Sequence, residues 1–551
     1  MDSRVERASF ILGSSILVFL GSLLLWNAAL FVLHHSMIAA GLPVALAVTI
    51  LFIFSSAKKY FRRAFLPAAG VITAAYLGLI ACCAIGSGIF CDISYDGQTY
   101  HQEAVLQLKN GWNPVLDPPL KNEYGLWINH YPKAAWIYAA QIYKFTGRIE
   151  QAKSAGSLLI LASFFLALSA FLDLNPRRPN RALIFSLLLA LNPVAIYQSL
   201  CFYVDGQLAS LFVALLVLSY FFGRRLDGPT TIVFAASTVL LINIKFTGAL
   251  YALALHGGLA AWLLLKKSSS VFKLAGLTLA SIAVTLFIVG YNPYLTNIIR
   301  KGHPFYPLAG PKARNIIIQQ EPLNFRQAGR AGKLWISIFS RTENVSRSQK
   351  TTRKWPFSLA VSELVALTTS DTRIGGFGPW FGGAFLFAAI IVLAGLPWLF
   401  TRPTRARAAP LLGMMFLITM TVLMNPESWW ARYAPQLWMI PVGASVLGVS
   451  IARHKALIYL SKILVLVLAA DILIVSSAHF TGQLFGTWRL ERQLQDLANC
   501  PQPVEVDFKG FTANKLRFAA RGIVYKEEAL GGDQRPTKRL FGSETRFRDC
   551  Y

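Results

Sequence analysis

Charge is scarce in this 551-residue chain: Asp, Glu, Lys and Arg together make up 14% of it, and acids are the rarer sign, 26 against 53 bases. An ordinary soluble domain carries about 25% charged residues, so the composition argues against that class. Familiar catalytic signatures are missing as well. The chain has no G-x-S-x-G elbow, Walker loop, His/Cys zinc spacing or glycine-rich dinucleotide fingerprint, which argues against ATP-driven transport. No repeat of fixed period occurs, and no low-complexity tract is longer than the three serines at 268–270.

What the chain has instead is apolar length. Hydrophobic residues make up 55%, with 38 Phe, and mean hydropathy is positive. A membrane-crossing helix needs about 20 mostly apolar residues. Such stretches lie near 8–33, 38–57, 65–90, 152–172, 182–200, 205–223, 229–245, 247–265, 271–291, 377–400, 409–425, 433–451 and 456–478. The expected fold is therefore an α-helical polytopic membrane bundle of about 13 spans over residues 1–478. The first stretch is too long, and too poorly followed by a cleavage site, for a removable signal peptide.

Basic residues of the short loops set the orientation. Arg4, Arg7, Lys58, Lys59, Arg62, Arg63, Arg177, Arg178, Arg181, Arg224, Arg225, Lys266, Lys267, Arg402, Arg405, Arg407, Arg453 and Lys455 all fall on one side of this arrangement. That side is expected to be cytoplasmic, with the N-terminus. The other side receives the loops 91–151 and 292–376 and the tail 479–551. After Phe485 the tail turns polar, with short apolar runs such as VEVDF and GIVY between glycines. This predicts a small extracytoplasmic α/β domain that packs on the membrane bundle or uses a disulfide. Of six cysteines, Cys500 and Cys550 are placed to form one on the oxidising side, and unpaired small residues are the alternative.

The loop 292–376 holds 13 Lys and Arg against 4 Asp and Glu, on the side where long translocated loops are exempt from the positive-inside rule. An anionic partner follows: lipid head groups, a phosphate-bearing lipid carrier or a charged polysaccharide. The alternative is a flexible basic loop resting on anionic lipid. Nucleic acid does not fit that side. Short amphipathic stretches such as AGKLWISIFS suit a covering over a lipid entry.

Acids concentrate in ISYDGQTYHQE, residues 93–103, beside Asp92. Asp96 is placed to start a helix that stops at Gly111 and Pro114, with Asp96, Tyr100 and Glu103 along one face. Capping alone would account for Asp96. It would not account for Asp92, His101 and Glu103 beside a membrane surface, where ionisable groups mark function. An inverting sugar transfer uses this arrangement: one carboxylate takes the proton from an acceptor hydroxyl while cations stabilise the leaving phosphate.

With those residues in place, the chain resembles the GT-C superfamily of polytopic glycosyltransferases, which use lipid-phosphate-linked sugars at the outer membrane face. The resemblance rests on YDGQTYHQE, LNPVAIYQSLCFYVDGQLASLF at 191–212, LLINIKFTGALY at 240–251, GHPFYPL at 302–308, DTRIGGFGPWF at 371–381 and WWARYAPQLW at 429–438. It implies that Asp96 takes the place of the superfamily's catalytic acid. Gly97 follows Asp96 where many members carry a second acid, so Asp92, Asp96 and Glu103 remain candidates for the base. Without a compact acidic pair, metal independence is favoured and no cofactor is expected.

The other candidates surround this reading. Lys245, near the outer end of a span, suits a lipid phosphate, with snorkelling to the interface as the alternative. Arg373, followed by two glycines that admit a close ligand, and Arg432, behind paired Trp, suit phosphate, with an interfacial aromatic belt as the alternative. Asp205 suits the acceptor or sugar hydroxyls, or caps its helix. Tyr100, His101, Trp112, Trp127 and Tyr131 are expected to line the sugar and acceptor groove, and His303 to be structural. The expected partners are a polyprenyl-phosphate sugar, a glycan or lipid acceptor and membrane lipids. Two other readings compete: an O-antigen ligase or polymerase, leaning on external Arg and His, and a lipid-linked oligosaccharide flippase, which would want charges lining a cavity between paired halves.

Overall fold

The computed structural model describes residues 3–314, 317, 320–397, 402–451, 455–530 and 536–548. It is mostly helical, with one small sheet near the C-terminal end. Among the described residues, seven helical stretches are long and apolar enough to cross a membrane: Arg4–Val32, Gly41–Ile89, Ile149–Leu174, Asp205–Arg224, Phe246–Leu265, Ser270–Val289 and Lys455–Ala498. The chain is a membrane protein by this measure.

Gly41–Ile89 runs to 49 residues, which as one straight helix would be ~74 Å, more than twice a hydrocarbon core of ~30 Å. It is broken at Arg62, whose φ is +49°, into helices Gly41–Phe61 and Phe65–Ile89 that pack against each other. Shorter apolar helices occupy Pro179–Ala190, Gly228–Ile244, Phe381–Gly395 and Ala408–Met424.

Two expected spans are interrupted. The 182–200 stretch is a 12-residue helix, Pro179–Ala190, then a break at Leu191 and Asn192, then Pro193–Tyr197. Pro193 supplies no amide, and the Asn192 side chain accepts from the Val194 amide to start the new helix. The 271–291 stretch is α-helical over Ser270–Val284, widens into a π turn at Thr285–Val289 and breaks at Gly290.

The last long helix departs further from expectation. It does not end near 478 but continues for 44 residues, Lys455–Ala498. Hydropathy falls there while helix propensity does not, and no proline intervenes before Pro501. Gly482 and Gly486 let it pass close to Thr368 and Ile93.

The two largest apolar cores among the described residues lie in the helical bundle. One joins the helices of residues 10–294; the other joins 185–197 to the helices between 381 and 475. At one end of the bundle, basic and acidic side chains pair: Arg224 with Asp173 (2.7 Å), Arg225 with Glu6 (3.4 Å) and Lys59 with Asp227 (3.6 Å). The C-terminal unit has four short strands in the order Tyr525–Glu527, Val504–Asp507, Arg546–Phe547, Lys538–Arg539, the first pair parallel and the others antiparallel. Helix Thr512–Ala520 packs on it. The sheet buries Val504, Val506 and Phe508 against Leu490, Leu494 and Leu497, so the overlong helix is its floor. Cys500 carries a disulfide; the partner expected for it, Cys550, lies outside the described residues.

Candidate functional site

The expected helix from Asp96 to Gly111 forms only in its second half. Gly97–His101 is a π turn in which Thr99 leaves helical geometry (φ −98°, ψ −108°), and a regular helix runs over Gln102–Lys109. The cause is local. Asp92 is fully buried and its carboxylate accepts from the Ser94 amide (2.8 Å), the Ser94 hydroxyl (2.6 Å) and the Phe202 amide (2.9 Å). The Asp92 carboxylate lies directly under Gly97, where a Cβ would sit 2.0 Å from Oδ2. Burial, and then the Glu150 charge, push the Asp92 carboxyl up to about 6. Asp92 is thus a staple joining two connections, not a group open to substrate.

Asp96 caps nothing with its side chain. It reaches across the chain: Oδ2 stands 3.4 Å from Arg432 Nη2. Arg432 also places Nε 3.0 Å from Asp205 Oδ2 and Nη1 3.1 Å from Asp371 Oδ1. Asp205, 1% exposed, pairs its other oxygen with Lys245 Nζ and accepts from Gln198 Nε2 (3.2 Å). Asp371 accepts from Trp430 Nε1 (3.1 Å) and lies 3.9 Å from Arg373 Nε. Residues scattered from 96 to 432 meet in one charged cluster at one end of the helices. Tyr203, Trp430 and Tyr433 wrap the Arg432 guanidinium, ring centroids 4.7, 5.3 and 5.4 Å away, and Tyr433 also lies 4.2 Å from the Lys245 ammonium.

Lys245, at the extended break between helices Gly228–Ile244 and Phe246–Leu265, pairs with Asp205. Trp429 and Trp430 are 2% and 4% exposed and stacked on one another. Asp205 does not cap its helix with its side chain; it holds Lys245 and Arg432 in place. The glycines after Arg373 do not admit a ligand. Gly375 (φ +58°) and Gly376 abut the backbones at Ser340, Thr342 and Thr372, and Gly378 abuts the Asp471 carboxylate.

The other candidates divide. Glu103 points away from the cluster: it accepts from Gln107 (2.8 Å), Asn122 (3.1 Å) and the Thr512 hydroxyl (2.7 Å), so it ties the C-terminal unit down. The interrupted helix turned it from the face expected to carry both acids. Tyr100, His101, Trp127 and Tyr131 form a contiguous aromatic wall beside Asp96, with ring separations of 4.2 Å for Tyr100–His101 and 5.3 Å for Trp127–Tyr131. Trp112 lies deeper, its ring 5.9 Å from the buried Lys133 ammonium. His303 accepts from the Phe305 amide (3.2 Å) in a turn, the structural role expected for it.

Desolvation raises the Asp96 carboxyl above the ordinary range, Arg432 opposes this, and Asp371 adds to it. A quarter of its side chain stays accessible. Burial pushes the His101 imidazole down to about 3, so it stays neutral. Its Nδ1 accepts from Trp136 Nε1 (2.7 Å), which leaves the proton on Nε2. Burial also holds the Tyr100, Tyr131 and Tyr203 phenols protonated, as donors.

Asp371, Gln198, Tyr203 and Tyr433 were not among the sequence candidates. Asp371 had a signal: it stands two residues before Arg373 in a segment otherwise short of acids. Among the described residues no group of three or more His, Cys, Asp or Glu is arranged to hold a metal ion, and the three acids of the cluster are each occupied by a guanidinium or ammonium. No protein family, curated protein or solved structure matches the chain.

Proposed function

We propose that the chain is an inverting glycosyltransferase of the polytopic GT-C kind, moving a sugar from a polyprenyl-phosphate donor to an extracytoplasmic glycan or lipid acceptor. The observation that carries this reading is the junction of a partly accessible carboxylate, Asp96, with the buried Arg432 and the half-buried Lys245 at one end of a set of apolar helices. The fold would then comprise about 13 spans, counting the broken and shorter helices. The Arg224–Asp173 end would face the cytoplasm, the cluster the outside.

In this mechanism Asp96 accepts the proton of an acceptor hydroxyl as that oxygen attacks the anomeric carbon. The bond from that carbon to the phosphate oxygen breaks, and polyprenyl phosphate leaves with the electron pair. Lys245, Arg432 and Arg373 would neutralise the leaving charge. Without donor, Arg432 is shared among Asp96, Asp205 and Asp371. A phosphate that takes over its Nη atoms releases Asp96, whose basicity then rises. The base becomes active when the donor is seated. Asp205 stays behind as the fixed counter-charge that keeps the cations in place. The aromatic wall from Tyr100 to Tyr131 would take the sugar and acceptor rings, and the 292–376 segment would cover the lipid entry.

The experiment is transfer from radiolabelled polyprenyl-phosphate sugars in membranes containing the chain, with and without EDTA, followed by the anomeric configuration of the product. Transfer with inversion, insensitive to EDTA, is expected. Absence of transfer from every such donor, with the protein present at normal level, would end this reading and favour a ligase or flippase.

A further inference from the structure

The loop that carries Asp96 is held from outside the helical bundle, by the C-terminal unit. Arg517, on helix Thr512–Ala520, is 5% exposed and its guanidinium enters the loop from the side. Nη1 donates to Gln98 Oε1 (2.8 Å) and to Asn514 Oδ1 (3.0 Å); Nη2 donates to the Asp92 carbonyl (2.7 Å) and to Glu150 Oε1 (2.8 Å). One side chain therefore grips both ends of the segment 92–98, with Asp96 between them. Glu150 is fixed in turn: its Oε2 accepts from the Asp92 amide (3.0 Å) and pairs with Lys153, which also donates to the Phe90 carbonyl. Gln98 is fully buried, and its amide nitrogen donates to the Gly542 carbonyl (2.6 Å). Around this charged centre the Tyr95 ring meets Phe511 edge-on at 5.3 Å, and Thr512 binds Glu103.

We propose that Arg517 is a positioning residue for the transfer: through Gln98 and the Asp92 backbone it fixes the π turn that aims Asp96 at its acceptor, making the C-terminal unit part of the active site. The proposal rests on the reading of Asp96 as base. Its physical ground is that the turn, though closed by the Gln102 amide on the Gly97 carbonyl, leaves helical geometry at Thr99, next to the Gln98 that Arg517 holds. Its shape is therefore set in part by what it touches. A charge-assisted fork buried on the loop is stronger and more directional than neutral contacts, and a misplacement of about 1 Å at a reacting group costs about 100-fold in rate.

The test uses the full chain in detergent or nanodiscs, with Arg517→Ala, Arg517→Lys, Gln98→Leu and, as a control on the same helix, Lys515→Ala, whose side chain pairs with Glu527 and lies over the Phe508 ring. Two readouts are taken. Donor kinetics are expected to show kcat lowered about 100-fold in Arg517→Ala with donor KM within about twofold, partial recovery in Arg517→Lys, and no change in Lys515→Ala. Hydrogen exchange is expected to speed up about 10-fold at the amides of 96–101. Gln98→Leu, which cuts the same link from the loop side, carries both readouts if Arg517→Ala does not fold. Unchanged kcat in these variants alongside loss of transfer in Asp96→Asn would overturn the positioning role and leave the function standing. Absence of transfer in the wild-type chain would remove the function; unchanged exchange at 96–101 would remove the lock itself.

Discussion

At the scale of residues the account turns on Arg432. It is buried, wrapped by aromatic rings, and within 3.4 Å of three carboxylates from three separate segments. Removing it leaves Asp205 with Lys245 alone as counter-charge and Asp371 with the Trp430 indole, and breaking such a buried arrangement costs about 3–5 kcal/mol. Arg432→Ala is expected to lower the thermal midpoint in detergent, and Arg432→Lys to fold but lose transfer, since an ammonium cannot present three directions at once. A Lys variant with wild-type kcat/KM would contradict the role given to it. Asp96 predicts a pH profile. Its carboxyl is raised, so the base is fully deprotonated only above the ordinary carboxylate range of about 4, and the acid limb of kcat/KM should lie above that value. Asp371→Asn deletes a charge that raises Asp96, so the limb should move to lower pH; a move to higher pH would contradict the coupling. His101, neutral across this range, contributes no limb.

Asp96, Lys245, Arg373 and Arg432 were legible in the sequence because each is an ionisable residue where a membrane protein is sparing with charge. Asp371 was marked only by its place two residues before Arg373, because a single acid in a loop shows its worth only when two other segments close on it. Asp92 and Glu103 looked equivalent to Asp96 in sequence; their hydrogen-bond partners, Phe202 and Thr512, are over a hundred residues away and separate them only in the fold.

Among the elements, the long apolar helices were legible from composition, since hydropathy reports them directly. Interruptions were not. The π turn at 97–101 depends on the Asp92 carboxylate pressing on Gly97, a contact the 3.6-residue period does not encode. Gly97→Ala is therefore expected to displace Asp92, lowering the thermal midpoint and kcat together; tolerance of alanine with full activity would argue that the turn is not needed. The end of helix Lys455–Ala498 was misplaced because hydropathy follows the run of apolar residues, not the helix itself. Leu484, Phe485 and Trp488 remain exposed on it. Spin labels at 484 and 488 are expected to report lipid contact and helical periodicity, whereas labels at 492 and 495 should report water.

For the whole molecule, the sequence showed a helical bundle with a small polar appendage expected to pack on it or use a disulfide, but not where the two join. In the structure it shares its core with the end of the last helix and its charged centre with the loop of the base. The Arg517 contacts join residues more than 300 positions apart, a separation at which spacing carries no signal. Orientation has its own check. With the exposed Cys82 replaced, an impermeant maleimide applied to sealed right-side-out vesicles should label Lys312→Cys and spare Lys58→Cys. The reverse pattern would put the charged cluster in the cytoplasm and contradict the proposed donor. The most direct measurement compares transfer from radiolabelled polyprenyl-phosphate sugars by the wild-type chain and by Asp96→Asn at equal protein level. The account predicts that transfer disappears in the variant; transfer at the wild-type rate would contradict it.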